Sequence, residues 1–173
     1  MVDTPRDNET TAARQRPDAK GGPTRTVFSL SEGETVDLGR ILGRGLRGGE
    51  LIVLHGPLGA GKTVFVRGLA DGLGIAVEDV SSPSFSLVHE YAGGRFKLYH
   101  VDLYRIEDTE ELATLGLDEL RGPTSVVVVE WGERLTPFYR KDAIAVRLHD
   151  VGEGSRRIEI GSPVETAGPR GDA

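Results

Sequence analysis

Apolar positions in this chain fall into short runs separated by glycine- and proline-rich breaks, and their period changes from run to run. Val27 to Leu30 is a short strand candidate. Ser31 then precedes Glu34 by three residues, the spacing of a capping box. Val36, Ile41, Leu42 and Leu46 recur at helical spacing until Gly48-Gly49 ends them. Leu51-Ile52-Val53-Leu54 is a continuous apolar run, predicted to be a buried strand. Val64, Phe65, Leu69 and Leu73 return to helical spacing and stop at Gly74. A hydroxyl-rich loop covers Val80 to Phe85. Ser86 to Tyr91 and Arg95 to Leu103 form two strand candidates around Ala92-Gly93-Gly94, a hairpin pattern. Asp108 can cap a short helix carrying Leu112 and Leu115. Val126 to Val129 is the clearest buried strand, since β-branched residues on both faces suit a strand covered on each side. Ile144 to Leu148 and Arg156 to Ile160 complete the pattern as an antiparallel pair.

Together these elements predict a small α/β domain over residues 26–160 with a central, partly parallel sheet, flanking helices and antiparallel additions. Residues 1–25 and 161–173 are polar and bury too little to fold, so both are expected to be disordered tails.

Composition narrows the function. The chain has no cysteine, which excludes a disulfide framework, thiolate metal site or cysteine nucleophile. It has no apolar run approaching a membrane span and no apolar signal-peptide core, so a cytoplasmic protein without membrane contact is expected. Asp and Glu outnumber Lys and Arg by 27 to 21, for a net charge of −6, which disfavours direct nucleic-acid binding by a basic surface. A partner can still carry the nucleic acid.

The strongest chemical signal lies between the apolar strand and the helix after it. Gly56-Pro57-Leu58-Gly59-Ala60-Gly61-Lys62-Thr63 matches G-x-x-x-x-G-K-[ST] at every fixed position. Strand, glycine-rich loop and helix are the context a phosphate-binding loop requires. Gly56, Gly59 and Gly61 let backbone approach an anion closely, and the loop N–H groups and helix N-terminus face the phosphates. Lys62 reaches the β- and γ-phosphates, and the Thr63 hydroxyl can bind Mg²⁺.

Mg²⁺ needs an acidic partner at the end of a neighbouring strand. Glu130 closes the four-valine strand and is the candidate, as a Mg²⁺ ligand or as the group orienting the attacking water. Asp102 is a second candidate for either role, against the alternative of an ion pair with Arg105. Ser84 can report on the γ-phosphate as switch-loop hydroxyls do, although a turn serine is the plainer reading. Arg105 and Arg134 are candidate transition-state arginines, but surface ion pairs are commoner. Trp131 reads as a partly buried core residue, and the four histidines show no metal-ligand spacing. ATP is favoured over GTP, because the only asparagine is Asn8 and no Asn-Lys-x-Asp guanine-reading segment exists.

Four blocks in this order resemble the bacterial TsaE (YjeE) family: Gly56 to Thr63; Ser82-Pro83-Ser84-Phe85-Ser86-Leu87 with Tyr91; Tyr99-His100-Val101-Asp102-Leu103-Tyr104-Arg105; and Val129-Glu130-Trp131. The opening helix, with Thr35 before Leu38-Gly39, and Leu115 to Glu119 are also similar, so the likeness covers about residues 27–160. The resemblance implies a P-loop NTPase-like fold and an ATPase that supports threonylcarbamoylation of the tRNA adenosine beside the anticodon. The implied partners are TsaD and TsaB, with tRNA reached through that complex and hydrolysis supporting its repeated turnover. By matching positions, Gly59, Ala60, Gly61, Lys62 and Thr63 would cradle the phosphates, with Val64 next along the helix. Thr63 and Glu130 would hold Mg²⁺, Asp102 would be a further active-site acid, and the segment Glu32 to Thr35 would lie near the base. Three positions depart from the family's usual pattern: Pro57 stands where an acid is common, Ser84 where threonine is, and Gly132 after Trp131 where proline is.

Two other functions use the same loop. A small-molecule kinase needs an acceptor pocket and usually an arginine-bearing lid, for which only residues 104–122 are available. A nucleotide-gated binding module would bind ATP with hydrolysis incidental, which paired acids beside the metal argue against.

Overall fold

The computed structural model describes residues 24–161. The expected tails therefore lie almost wholly outside the described residues, and the sheet itself runs from Arg25 to Gly161. In chain order the elements are β1 (Arg25–Ser29), α1 (Glu32–Gly45), β2 (Leu51–His55), α2 (Lys62–Leu73), β3 (Val88–Tyr91), β4 (Lys97–Asp102), α3 (Thr109–Thr114), α4 (Leu117–Leu120), β5 (Ser125–Glu130), α5 (Pro137–Arg140), β6 (Ile144–Gly152) and β7 (Ser155–Gly161). The strands form one seven-stranded sheet in the order β1-β7-β6-β2-β5-β4-β3. Strands β6, β2, β5 and β4 pair in parallel. The β1–β7, β6–β7 and β3–β4 pairs are antiparallel, so the expected antiparallel additions sit at both edges.

All six residues of β5 are buried. Val126 and Val128 face one core, with Ile52, Leu54, Phe65, Leu69 and Leu148. Val127 and Val129 face another, with Leu51, Val53, Leu103, Leu112 and Leu117. The pleat alternates side chains between the faces, so a strand buried on both must be apolar throughout. Helices α1 and α2 cover the first face, and the short α3 and α4 contribute to the second.

Helices α1 and α2 meet along a seam of glycines. A Cβ added to Gly39 would lie 2.3 Å from the Phe65 carbonyl oxygen, and one on Gly68 would lie 2.0 Å from that of Val36. Gly43 and Gly72 repeat the contact one turn on, 2.4 Å from the carbonyls of Leu69 and Arg40 respectively. Each glycine costs about 1 kcal/mol of helix propensity relative to alanine. Here the missing side chains let two backbones touch. Both partner sequences rise together, so the helices run parallel and begin at the same edge of the sheet.

The capping box forms with a shift. Ser31 Oγ accepts from the Glu34 N–H at 3.2 Å, while the Glu34 carboxylate accepts from the Leu30 N–H at 2.7 Å, one residue before the cap itself. The hairpin strands are shorter than the pattern suggests. Leu87 has φ of 64° and turns the chain, so β3 starts only at Val88. Leu103 leaves the sheet after Asp102, although its N–H still reaches the Glu130 carbonyl at 3.2 Å. Among the described residues, no helix is long and apolar enough to cross a membrane.

Candidate active site

Parallel β2, β5 and β4 all point their carboxyl ends one way, the edge where α/β sheets place ligands. His55 ends β2 and leads into Gly56, Glu130 ends β5, and Asp102 ends β4. The parallel register sets Asp102 directly beside Glu130. Two carboxylates 28 residues apart in sequence thus become neighbours, at 2% and 3% exposure.

The phosphate loop wraps from β2 into α2. A Cβ on Gly56 would meet the Leu148 carbonyl at 2.6 Å, and Gly61 caps α2 with φ of 96°, a left-handed conformation open to glycine at little cost. No side chain caps α2, and no acid occupies its first turn. Its first N–H groups and the positive end of its dipole therefore suit an external anion.

Lys62 opens α2 and is buried. Its ammonium donates to the carbonyls of Gly56 at 2.8 Å and Pro57 at 2.9 Å, and lies 4.0 Å from the centre of a Trp131 ring. Burial lowers the Lys62 pKa, against the opposing pull of Glu130, Glu133 and Asp102. Trp131 is half-buried and also packs on Tyr104, with ring centres 5.0 Å apart. It takes φ of 63°, and the following Gly132 sits so close to Val53 that a Cβ would lie 1.9 Å from Cγ1. Here glycine leaves that space to the Val53 methyl group.

Glu130 Oε1 accepts from the Thr63 hydroxyl at 2.8 Å and faces His100 Nε2 at 2.9 Å. His100 is fully buried and its Nδ1 has no partner among the described residues, so the ring serves Glu130 alone. Asp102 Oδ2 accepts from both Ser82 and Ser84 at 2.8 Å, and Oδ1 accepts from the Tyr104 N–H at 2.9 Å. The alternative considered for Asp102, an ion pair with Arg105, does not form. Arg105 instead lies 4.4 Å from the centre of the exposed Phe85 ring. Arg134 donates to the Ile106 carbonyl.

A hydroxyl and two buried carboxylates are hard oxygen donors, the chemistry that suits Mg²⁺, which commonly takes one or two carboxylates and completes its shell with phosphate and water oxygens. Among the described residues, no cluster of three or more His, Cys, Asp or Glu side chains could hold a metal by itself. An ion here would complete its shell with oxygens from outside the chain, such as those of phosphate and water. Thr63, Glu130 and Asp102 fit that arrangement.

The remaining expected residues are distributed around the loop. Ala60 is buried, Gly59 is exposed, and Val64 and Ser84 are half-buried. Glu32 opens α1 at the surface, 3.6 Å from Arg67. Thr35 is fully buried, with its hydroxyl 2.7 Å from Ser29 Oγ and donating to the Ser31 carbonyl at 3.1 Å, so that group is already engaged. Two contributors escape a sequence reading. His100 shows its role only through the pairing of β4 with β5. Arg156, on β7, donates to the Ala60 carbonyl at 3.0 Å, and no local signal marks it.

With this geometry in place, comparison with known proteins gives a consistent answer. Residues 29–158 match the family model described as threonylcarbamoyl adenosine biosynthesis protein TsaE. A relative named tRNA threonylcarbamoyladenosine biosynthesis protein TsaE, from Treponema pallidum, is 41% identical over 76% of this chain and 96% of its own. Relatives of the same name from a Nostoc species and Streptomyces coelicolor are 42% and 43% identical, over 78% and 72% of this chain and 83% and 84% of their own. The crystal structure of YdiB from Bacillus subtilis superposes with a TM-score of 0.63 at 27% identity, covering 82% of this chain and 88% of YdiB.

Proposed function

The chain belongs to the TsaE family of threonylcarbamoyl adenosine biosynthesis proteins, and from that premise we propose that it is a Mg²⁺-dependent ATPase acting with TsaD and TsaB in threonylcarbamoylation of tRNA. The observation that carries the reading is the 2.8 Å bond between Thr63 and Glu130, at the mouth of the phosphate loop and with Asp102 alongside in the sheet register. A hydroxyl and a lysine from the start of α2 converge there with two acids from the ends of β4 and β5.

In this reading the loop N–H groups from Gly59 to Thr63 bind the phosphates. Lys62 exchanges the Gly56 and Pro57 carbonyls for phosphate oxygens, which suits a cation whose burial already weakens its hold on its proton. Mg²⁺, when bound, supplies charge neutralisation on the phosphates. Thr63 and Glu130 hold it, and His100 fixes the Glu130 carboxylate through Nε2. Asp102, its Oδ2 held by Ser82 and Ser84, orients the attacking water, and Ser84 shifts its hydroxyl with the state of the γ-phosphate. The net charge of −6 supports tRNA contact through the partner pair rather than by this chain. A cytoplasmic site of action goes with that reading. A kinase is less favoured, because Leu112 and Leu117, in the span that would supply a lid, are buried in the second core.

The test is MgATP hydrolysis by the protein alone and with the TsaD–TsaB pair plus tRNA. Stimulation by the pair is expected. Equal rates with and without it would overturn the partnership.

A further inference from the structure

We propose that Arg156 is a positioning residue that aims the phosphate loop at its anion; the proposal rests on the nucleotide-binding reading above. Arg156 belongs to β7, outside the loop and its strand. Its backbone is held on both sides, opposite Ser29 of β1 and Asp150 of β6. Nε donates to the Ala60 carbonyl at 3.0 Å. Nη1 donates to the Gly154 carbonyl at 3.0 Å and lies 3.4 Å from Thr35 Oγ1. One planar guanidinium therefore joins the phosphate loop, the β6–β7 turn and the start of α1. These partners are carbonyls and a hydroxyl rather than a carboxylate.

The consequence follows from peptide geometry. The Ala60–Gly61 peptide is planar and trans, so its C=O and N–H point in opposite directions. Fixing the Ala60 oxygen on Arg156 therefore fixes the Gly61 N–H on the opposite side of that peptide, away from the arginine. Gly61 also makes room for this contact. A Cβ there would lie 2.5 Å from Arg156 Nε and 3.2 Å from Cδ and Cζ, so the arginine stem lies flat where any other residue would carry a side chain. The second and third loop glycines thus have different duties, since a Cβ on Gly59 would meet nothing within 4 Å.

Three measurements test this on the full chain: calorimetric titration with MgADP, the ¹H–¹⁵N resonance of Gly61 during titration with inorganic pyrophosphate, and the thermal midpoint without nucleotide. Arg156→Met keeps the apolar stem and removes the donors. It should weaken MgADP binding about 10- to 100-fold, the worth of one hydrogen bond to a charged group. It should also remove most of the pyrophosphate-induced Gly61 shift, a readout that a merely structural role would not move. Arg156→Lys keeps the charge but presents its donors from one point, without the rigid Nε–Nη1 fork that spans Ala60 and Gly154. It should recover the nucleotide-free thermal midpoint but only part of the affinity, and it carries the test if the methionine variant does not fold. Wild-type affinity in Arg156→Met, or full recovery of affinity by lysine, overturns the proposal while leaving nucleotide binding intact. Failure of the unaltered protein to bind MgADP overturns the nucleotide reading, and this inference with it.

Discussion

Glu130→Gln separates the chemistry of the site from its architecture. The side chain is 3% exposed, and one oxygen accepts from both Thr63 and His100 at 2.8 and 2.9 Å. Glutamine has the same shape, and its carbonyl oxygen can keep both bonds while its NH₂ takes the place of Oε2. The two bonds fall from charge-assisted to neutral strength, a loss of about 1 kcal/mol each. Relief from burying a carboxylate offsets a comparable amount. Stability should therefore change by about 1 kcal/mol or less. The functional loss expected on the proposed reading is larger, because the substitution would remove a full negative charge from the proposed metal ligand and from the field around Lys62. Losing one electrostatic group in a water-excluded site costs about 3–4 kcal/mol of transition-state stabilisation, or about 10²–10³ in rate. Partner-stimulated MgATP hydrolysis, thermal melting and nucleotide affinity, all on one preparation, check the reasoning. Hydrolysis within about three-fold of wild type at unchanged stability would refute Glu130 as a ligand. If hydrolysis is lost but repeated tRNA modification continues in full, ATP acts by binding, and the nucleotide-gated module becomes the better reading.

Two further outcomes follow from packing and charge. Gly68→Ala places a methyl group 2.0 Å from the Val36 carbonyl and should destabilise the protein by about 1–3 kcal/mol despite alanine's better helix propensity, measured as a lower denaturant midpoint at unchanged slope. His55 has its pKa lowered from 6.5, first by burial and then by Arg147 and Arg140, with Glu133 pulling the other way. As pH falls through the window between 6.5 and that lower folded value, the unfolded chain takes up a proton the folded chain refuses, so stability declines. His55→Gln should flatten this part of a stability–pH curve relative to the unaltered protein, and an unchanged difference across the window would refute it.

The local parts of the site are legible in the sequence, and the convergent parts are not. Gly56 to Thr63 is readable because one continuous segment carries both the pattern and its strand–helix context. The four valines of β5 are readable because burial on both faces leaves no polar position. Asp102 and Glu130 can each be suspected as acids closing apolar runs, but their adjacency depends on β4 pairing in parallel with β5, a register no local signal encodes. His100 and Arg156 remain hidden for the same reason: each acts across a strand boundary on a residue far away in the chain. The glycine seam fails differently. Propensity counts Gly39, Gly43, Gly68 and Gly72 as four weak points in two helices, and only their mutual contact turns the cost into close packing. The strand ends before Val88 because Leu87 takes a positive φ, which a leucine in an apolar run gives no reason to expect.

The bare N-terminus of α2 has a consequence for folding as well as for binding. Helix α1 carries its own capping serine and two first-turn acids, so its opening turn is self-sufficient. Helix α2 begins on a glycine, with neither. A phosphate group seated there would act as the cap that the sequence omits, and its binding energy would enter the helix–coil balance of the first turn directly. Amide protons at Lys62 to Phe65 should then exchange with solvent far more slowly once nucleotide is bound, while those at the start of α1 change little. On the proposed ATPase reading the nucleotide would also be a secondary-structure element: hydrolysis and release would loosen the turn that carries Thr63, tying the chemical cycle to a cycle of local order.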